Sequence, residues 1–374
     1  MPCFSAEDIN NQVQIPASGS VRHPLMRVNL AKITRNAEIV AGLCRRAGMG
    51  VMGVTKAFCA EPAIARAMIR GGLDWLGDSR IQNIARLKEA GIETPICLLR
   101  LPMISEAREV AALADMSLVS EVETAKALSE AAASQGRTHK ITLMVDLGDL
   151  REGLLPQNIL QAAKIINEMP GVELYGLGVN FACYGGVIPT TEKLEALLAL
   201  AEDIRRQTGL PLPIVSGGNS ASLYLAPGGI PNGVTNLRIG EAILLGRETS
   251  YRKVIEGAFT DTFTLECEII ELQKKPSLPD GLIGTNAFGQ KPVFVDKGIR
   301  KRAILAIGRH DVIIDGLVPV DPKAEIIGAS SDHLLMDVTE VERPLSVGSL
   351  MEFNVQYGSL ISAMMSPYVT KIIG

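Results

Sequence analysis

Ile33, Ala37, Val40 and Cys44 recur at the spacing of one helix face, and the run ends before Gly48. VMGVTK (51–56) follows directly, a short β-branched stretch that reads as a buried strand with Lys56 at its C-terminal end. The same alternation predicts strands at 74–77, 95–100, 116–119, 141–146, 172–180, 213–216 and 236–240. Helical stretches separate them, for example 192–206, where Leu194, Leu197, Leu198, Ala201 and Ile204 share a face. Eight strands alternating with helices predict an α/β protein built on a (β/α)8 TIM barrel, with a doubly wound open sheet as the alternative.

Near residue 250 the pattern changes. FTLECEIIEL (263–272), KRAILAIG (301–308), AEIIGASSDHLLMDV (324–338) and LMEFNVQY (350–357) are strand-like and separated by Pro- and Gly-rich turns. The expected organisation is an N-terminal extension over 1–24, a barrel over 25–249 and a β-rich C-terminal domain over 250–374. The stretch 247–257 reads equally as linker or strand.

Composition narrows the partners. Apolar residues make up 47% and charged residues 21%, as in a folded globular enzyme, and the formal charge of -4 gives no basic field for nucleic acid or an anionic membrane. The six cysteines form no CxxC pair, and four histidines offer no metal-like spacing. Residues 1–24 lack the apolar core of a secretory signal, and no later segment has the roughly 20 apolar residues of a membrane span. A cytoplasmic protein acting on a small molecule is expected, with no nucleic-acid, membrane or metal partner.

In a parallel barrel, side chains just beyond the C-terminal strand ends assemble the active site. Here these are Lys56, Asp78 to Arg80, Arg100, Asp146 to Arg151, Asn180, SGGNS (216–220) and Arg238 to Gly240. A lysine desolvated in such a mouth loses affinity for its proton and becomes the nucleophilic amine of Schiff-base chemistry, although the position also suits a lysine reaching into solvent. SGGNS could cradle a phosphate or simply turn the chain. Arg238 would need an anion, an aromatic nitrogen or an ion-pair partner such as Glu241.

Taken together, VMGVTKA, VDLGDLREG (145–153), VSGGNSA (215–221), LRIGEAILLG (237–246) and GASSDHLLMDVT (328–339) resemble, in order, segments of the alanine racemase-like, fold-type III pyridoxal 5′-phosphate (PLP) enzymes, closest to their ornithine and lysine racemase branch. The resemblance runs from about Arg27 to Val369. It implies Lys56 as the Schiff-base lysine, Arg151 near the cofactor oxygen and substrate carboxylate, Ser220 and Gly240 on the phosphate, and Arg238 at the pyridine nitrogen. It also implies racemisation of a free amino acid in a homodimer.

Three family positions depart from the pattern. Phe288 stands where alanine racemases carry the tyrosine that serves as the second acid/base, Asn180 where they carry a ring-stacking histidine, and Met364 where a tyrosine contacts the phosphate. Cys183, three residues past Asn180, is the first candidate for the missing acid/base, through a thiol pKa lowered by a cationic cofactor, and His310 is the second. The smaller residues would admit a longer, basic substrate such as ornithine or lysine, with Asp332 meeting its distal ammonium. A PLP-dependent decarboxylase and a non-catalytic PLP-binding protein are the competing readings.

Overall fold

The computed structural model describes residues 21–285, 288, 289 and 291–374. Of the N-terminal extension, residues 1–20 lie outside this range, as do Asn286 and Ala287 beside Phe288. The described chain divides into two compact units.

The larger unit comprises residues 28–264, 355–365, 373 and 374. After the short strand β1 (Leu25–Val28), helix α1 (Leu30–Arg46) is capped by Asn29, whose side chain accepts from the Lys32 N–H at 2.9 Å. Strands and helices then alternate: β2 (Gly50–Val54), α2 (Pro62–Arg70), β3 (Trp75–Asp78), α3 (Ile81–Glu89), β4 (Ile96–Leu98), α4 (Ala107–Leu113), β5 (Met116–Val119), α5 (Val122–Ser134), β6 (His139–Val145), α6 (Pro156–Asn167), β7 (Val172–Val179), α7 (Thr191–Thr208), β8 (Ile214–Asn219) and β9 (Asn236–Ile239), which runs into the short helix α8 (Glu241–Leu245).

β2 to β9 form a closed parallel barrel, sealed where β9 pairs with β2 and Arg238 lies opposite Met52. The open-sheet alternative is thereby set aside. Met52, Cys97, Met116, Leu118 and Met144 pack together inside it. Closure demands small residues: a Cβ on Gly176 would lie 2.2 Å from the Ile214 carbonyl oxygen on β8.

At the N-terminal end of β6, His139 is buried, with Nε2 2.8 Å from Ser117 Oγ. Burial pushes its pKa down from 6.5 to about 4. The unfolded chain therefore takes up a proton below its ordinary value while the folded chain does not, and stability falls as the pH drops through that window. The stability advantage of the wild type over H139Q should shrink by roughly 3 kcal/mol between about pH 7 and pH 4, measured by urea unfolding.

The smaller unit, residues 21–27, 265–354 and 366–372 among those described, is an antiparallel sheet. Its strands are β1, β10 (Phe263–Pro276), β11 (Ile299–Leu305), β12 (Leu317–Pro319), β13 (Glu325–Ala329), β14 (Leu334–Asp337) and β15 (Leu350–Val355), with β16 (Thr370–Ile373) after helix α9 (Tyr357–Met365), and β1 pairs with β10 and β16. The path of the sheet is β12, β15, β10, β11, β14, β13. Two segments differ from a simple division at residue 250. Residues 250–264 pack with the barrel unit, as when Asn36 Nδ2 donates to the Phe259 carbonyl at 2.8 Å. The chain also returns to that unit for α9.

Candidate active site

A cavity of about 720 Å³ opens at the C-terminal ends of the barrel strands, and Lys56, Arg151, Asn180, Cys183 and Arg238 all line it. Lys56 begins a 3-10 turn (Lys56–Phe58) two residues beyond β2. The turn is anchored from behind: Thr55 Oγ1 donates to the fully buried Asp78 at 2.6 Å, and Asp78 also accepts from Asn83 Nδ2 at 3.0 Å and the Arg80 N–H at 2.9 Å. Cys59 and Ala60, just after it, hold φ of 54° and 53°, the left-handed conformation that non-glycine residues adopt reluctantly. Burial, reinforced by the Arg151 charge, holds the Lys56 pKa below the usual lysine value. The amine is thus poised toward its neutral form.

Arg238 projects from β9 and is 4% exposed. Its guanidinium donates to the Val179 carbonyl at 2.7 Å, to Asn180 Oδ1 at 2.6 Å and to Ser216 Oγ. Glu241 is not its partner; that carboxylate lies 3.8 Å from Arg252. Ser220 and Gly240 lie on the turns that follow β8 and β9, with Ser220 Oγ accepting from the Ala242 N–H at 3.3 Å. A Cβ on Gly240 would come within 3.0 Å of Val54 Cβ, so the end of β9 is tightly packed against β2 at this glycine.

The loop after β6 carries more than sequence reasoning assigns to it. Glu152 accepts from both Arg151 and Asn180, and Asp149 accepts through its carboxylate from the N–H groups of Cys183, Tyr184 and Val187 at 3.0–3.3 Å. Asp149 is 2% exposed and fastens the loop bearing Cys183 to the loop bearing Arg151. Within VDLGDLREG only the arginine stands out from sequence, because acidic residues in loops so often cap local turns. Asn180 acts here as an amide bridge.

Cys183 lines the cavity from the loop that follows β7. Its thiol accepts from Asn219 Nδ2 at 3.2 Å, and burial pushes its pKa up despite the opposing Arg151 charge. Tyr357, at the start of α9, is likewise pushed up, by burial and by Glu241, Cys183 and Asp78. From that helix it is Ile361 and Met365 that line the cavity, and not Met364.

His310 and Asp332 belong to the smaller unit and are exposed, with Nδ1 and Oδ1 3.4 Å apart. Phe288 is 45% exposed, with the Arg309 guanidinium 5.0 Å over its ring.

Residues 28–248 match the N-terminal domain model of alanine racemase. The chain belongs to the alanine racemase family. Family relatives extend over nearly the whole length. An ornithine racemase of Acetoanaerobium sticklandii is 45% identical over 93% of this chain and 99% of its own. A lysine racemase of Thermotoga maritima is 44% identical over 94% of this chain and 98% of its own. An alanine racemase of Clostridium perfringens is 25% identical over 75% of this chain and 72% of its own. In fold the chain is similar to an alanine racemase of Streptomyces lavendulae, with a TM-score of 0.73 at 18% identity over 95% of this chain and 98% of that one. Enzymes of the alanine racemase family generally use PLP.

Proposed function

We propose that this chain is a PLP-dependent racemase of basic amino acids, ornithine or lysine. The observation that carries this is the meeting of Lys56, Arg151 and Arg238 around one cavity at the barrel mouth. The donor set fits the cofactor: an amine held toward neutrality for its aldehyde, a fixed guanidinium for its ring nitrogen, a second guanidinium for its ring oxygen, and a hydroxyl with amide-rich turns at Ser220 and Gly240 for its phosphate. When bound, PLP supplies the electron sink that lets an amino acid lose its α-proton.

Lys56 then serves as the base on one face of the substrate α-carbon. Arg151 orients the substrate carboxylate. Arg238, which cannot readily give up a proton, keeps the ring nitrogen unprotonated and so limits transamination. Cys183 is our candidate for returning a proton to the opposite face, and its raised pKa keeps the proton available there. Asp332 is the carboxylate proposed for the distal ammonium of the substrate. The chain is proposed to work as a homodimer, which light scattering would report as twice the chain mass.

The similarity to ornithine and lysine racemases along almost the full chain supports the substrate class. The decarboxylase alternative wants a reactive thiol in the second half, yet Cys267 is fully buried and its pKa is pushed up. Among the described residues no helix is long and apolar enough to cross a membrane.

Incubation of the PLP-loaded protein with single L-amino acids in deuterated water tests the reading. Ornithine or lysine should gain α-deuterium and lose optical rotation together. Loss of carbon dioxide, or no exchange with any amino acid, would refute it. In the same assay C183S should slow exchange from one enantiomer about a hundredfold while sparing the other. Equal rates in both directions would move the role to His310.

A further inference from the structure

The two arginines assigned to the cofactor are linked. Arg151 donates through Nε and Nη2 to the two carboxylate oxygens of Glu152, and Asn180 Nδ2 donates to Glu152 Oε1. At the other end of the same amide, Asn180 Oδ1 accepts from Arg238 Nη2 at 2.6 Å. A continuous line of hydrogen bonds therefore runs from Arg151 through Glu152 and Asn180 to Arg238. Its polarity is fixed, because guanidinium groups only donate and an ionised carboxylate only accepts, so the amide between them has one allowed orientation.

Charge singles out the same residue. Lys56, Arg80, Arg100, Arg151 and Arg238 line the cavity, and among the described residues lining it Glu152 is the one carboxylate. Arg100 has its own acid, Glu106, at 2.9 Å. The Glu152 side chain is only 14% exposed, and both of its oxygens are engaged. That engagement argues against a primary role in receiving the ammonium of a substrate.

We infer that Glu152 is a positioning residue: it holds Arg151 toward the cofactor oxygen and, through Asn180, couples it to Arg238, so that the two guanidiniums are set as one unit. The inference rests on the PLP reading proposed above. Its chemical content is that the line tolerates an exchange of acid and amide between its two middle positions but not the loss of either. In E152Q the new amide nitrogen faces donors. In N180D two carboxylates face each other. In the double variant the acid and the amide have changed places. The carboxylate now at position 180 accepts from Arg238 and from the amide nitrogen at position 152. The amide oxygen at position 152 accepts from Arg151, and the net charge is restored.

The experiment uses the full-length chain loaded with PLP, in wild-type, E152Q, N180D and E152Q/N180D forms. Three quantities are read: kcat and KM for ornithine and for an uncharged amino acid, the pH at which the visible cofactor band titrates, and the rate at which a dicarbonyl reagent modifies Arg151 after the cofactor is removed. Each single variant should lose about tenfold to a hundredfold in kcat on both substrates. E152Q should move the titration to lower pH, because a negative charge near the Lys56 nitrogen is gone, and should expose Arg151 to faster modification. The double variant should regain much of both losses.

Single-variant effects that simply multiply in the double variant would overturn the inference. So would an E152Q whose only defect is a raised KM for ornithine, which would make Glu152 an ammonium site. A wild type that forms no cofactor band reducible onto Lys56 would instead defeat the PLP reading, and the modification rates of the cofactor-free chains would still report whether Glu152 holds Arg151.

Discussion

Replacing Lys56 with alanine is expected to abolish racemisation, by about a thousandfold or more, and to remove the visible absorption band of the bound cofactor. One side chain carries both effects because the same amine would anchor the cofactor and move the proton. The fold should survive. Burial disfavours the charged form of this lysine, so removing the amine relieves a desolvation cost, and the melting temperature of the cofactor-free variant should stay near that of the cofactor-free wild type. A small external amine should restore part of the activity. If K56A kept both the band and the activity, the cofactor would have to be held elsewhere, and the assignment of the barrel mouth would fail with it.

Arg238→Gln should show a different pattern, in which stability and reaction course change together. The guanidinium satisfies the Val179 carbonyl, Asn180 Oδ1 and Ser216 Oγ in a region closed to solvent, and a glutamine cannot reach all three. Leaving buried acceptors unpaired costs about 1–3 kcal/mol each, so a loss of roughly 3 kcal/mol in unfolding free energy is expected. Loss of the fixed cation also makes it easier for the ring nitrogen to take a proton. A keto acid, the product of transamination, should therefore form slowly where the wild type makes none, up to about one equivalent per bound cofactor because the amino group stays on the cofactor, and chromatography of the reaction mixture would detect it. Unchanged stability together with clean racemisation would show that Arg238 does neither job.

The barrel is legible in the sequence because its strands are short apolar runs and its helices carry regular stripes, patterns set by burial and therefore written locally. The strand ends are less so. SGGNS reads as a turn, yet β8 continues through Asn219, with Gly218 at a φ of 110° that glycine takes without strain and a register shift against β9 between Ser216 and Asn219. Lys56, Arg151 and Arg238 stand out because a basic side chain at the end of an apolar strand is locally anomalous. Glu152 and Asp149 do not, since what distinguishes them is their partners: Asn180 lies 28 residues from Glu152, and the N–H groups held by Asp149 lie 34–38 residues away. The direction of the Cys183 pKa escapes the sequence for a related reason. Proximity to positive charge can be guessed from the chain, but the extent of its desolvation cannot.

The return of residues 355–365 to the barrel unit bears on how the protein could be dissected. A chain stopped after Thr264 would keep every strand of the barrel but lose α9, and with it Tyr357 and the cavity walls supplied by Ile361 and Met365. No single cut releases this barrel with its cavity intact. An isolated barrel would have to be built as a fusion, with α9 reattached through a designed linker, and any exchange of second domains between relatives would carry a piece of the first along with it.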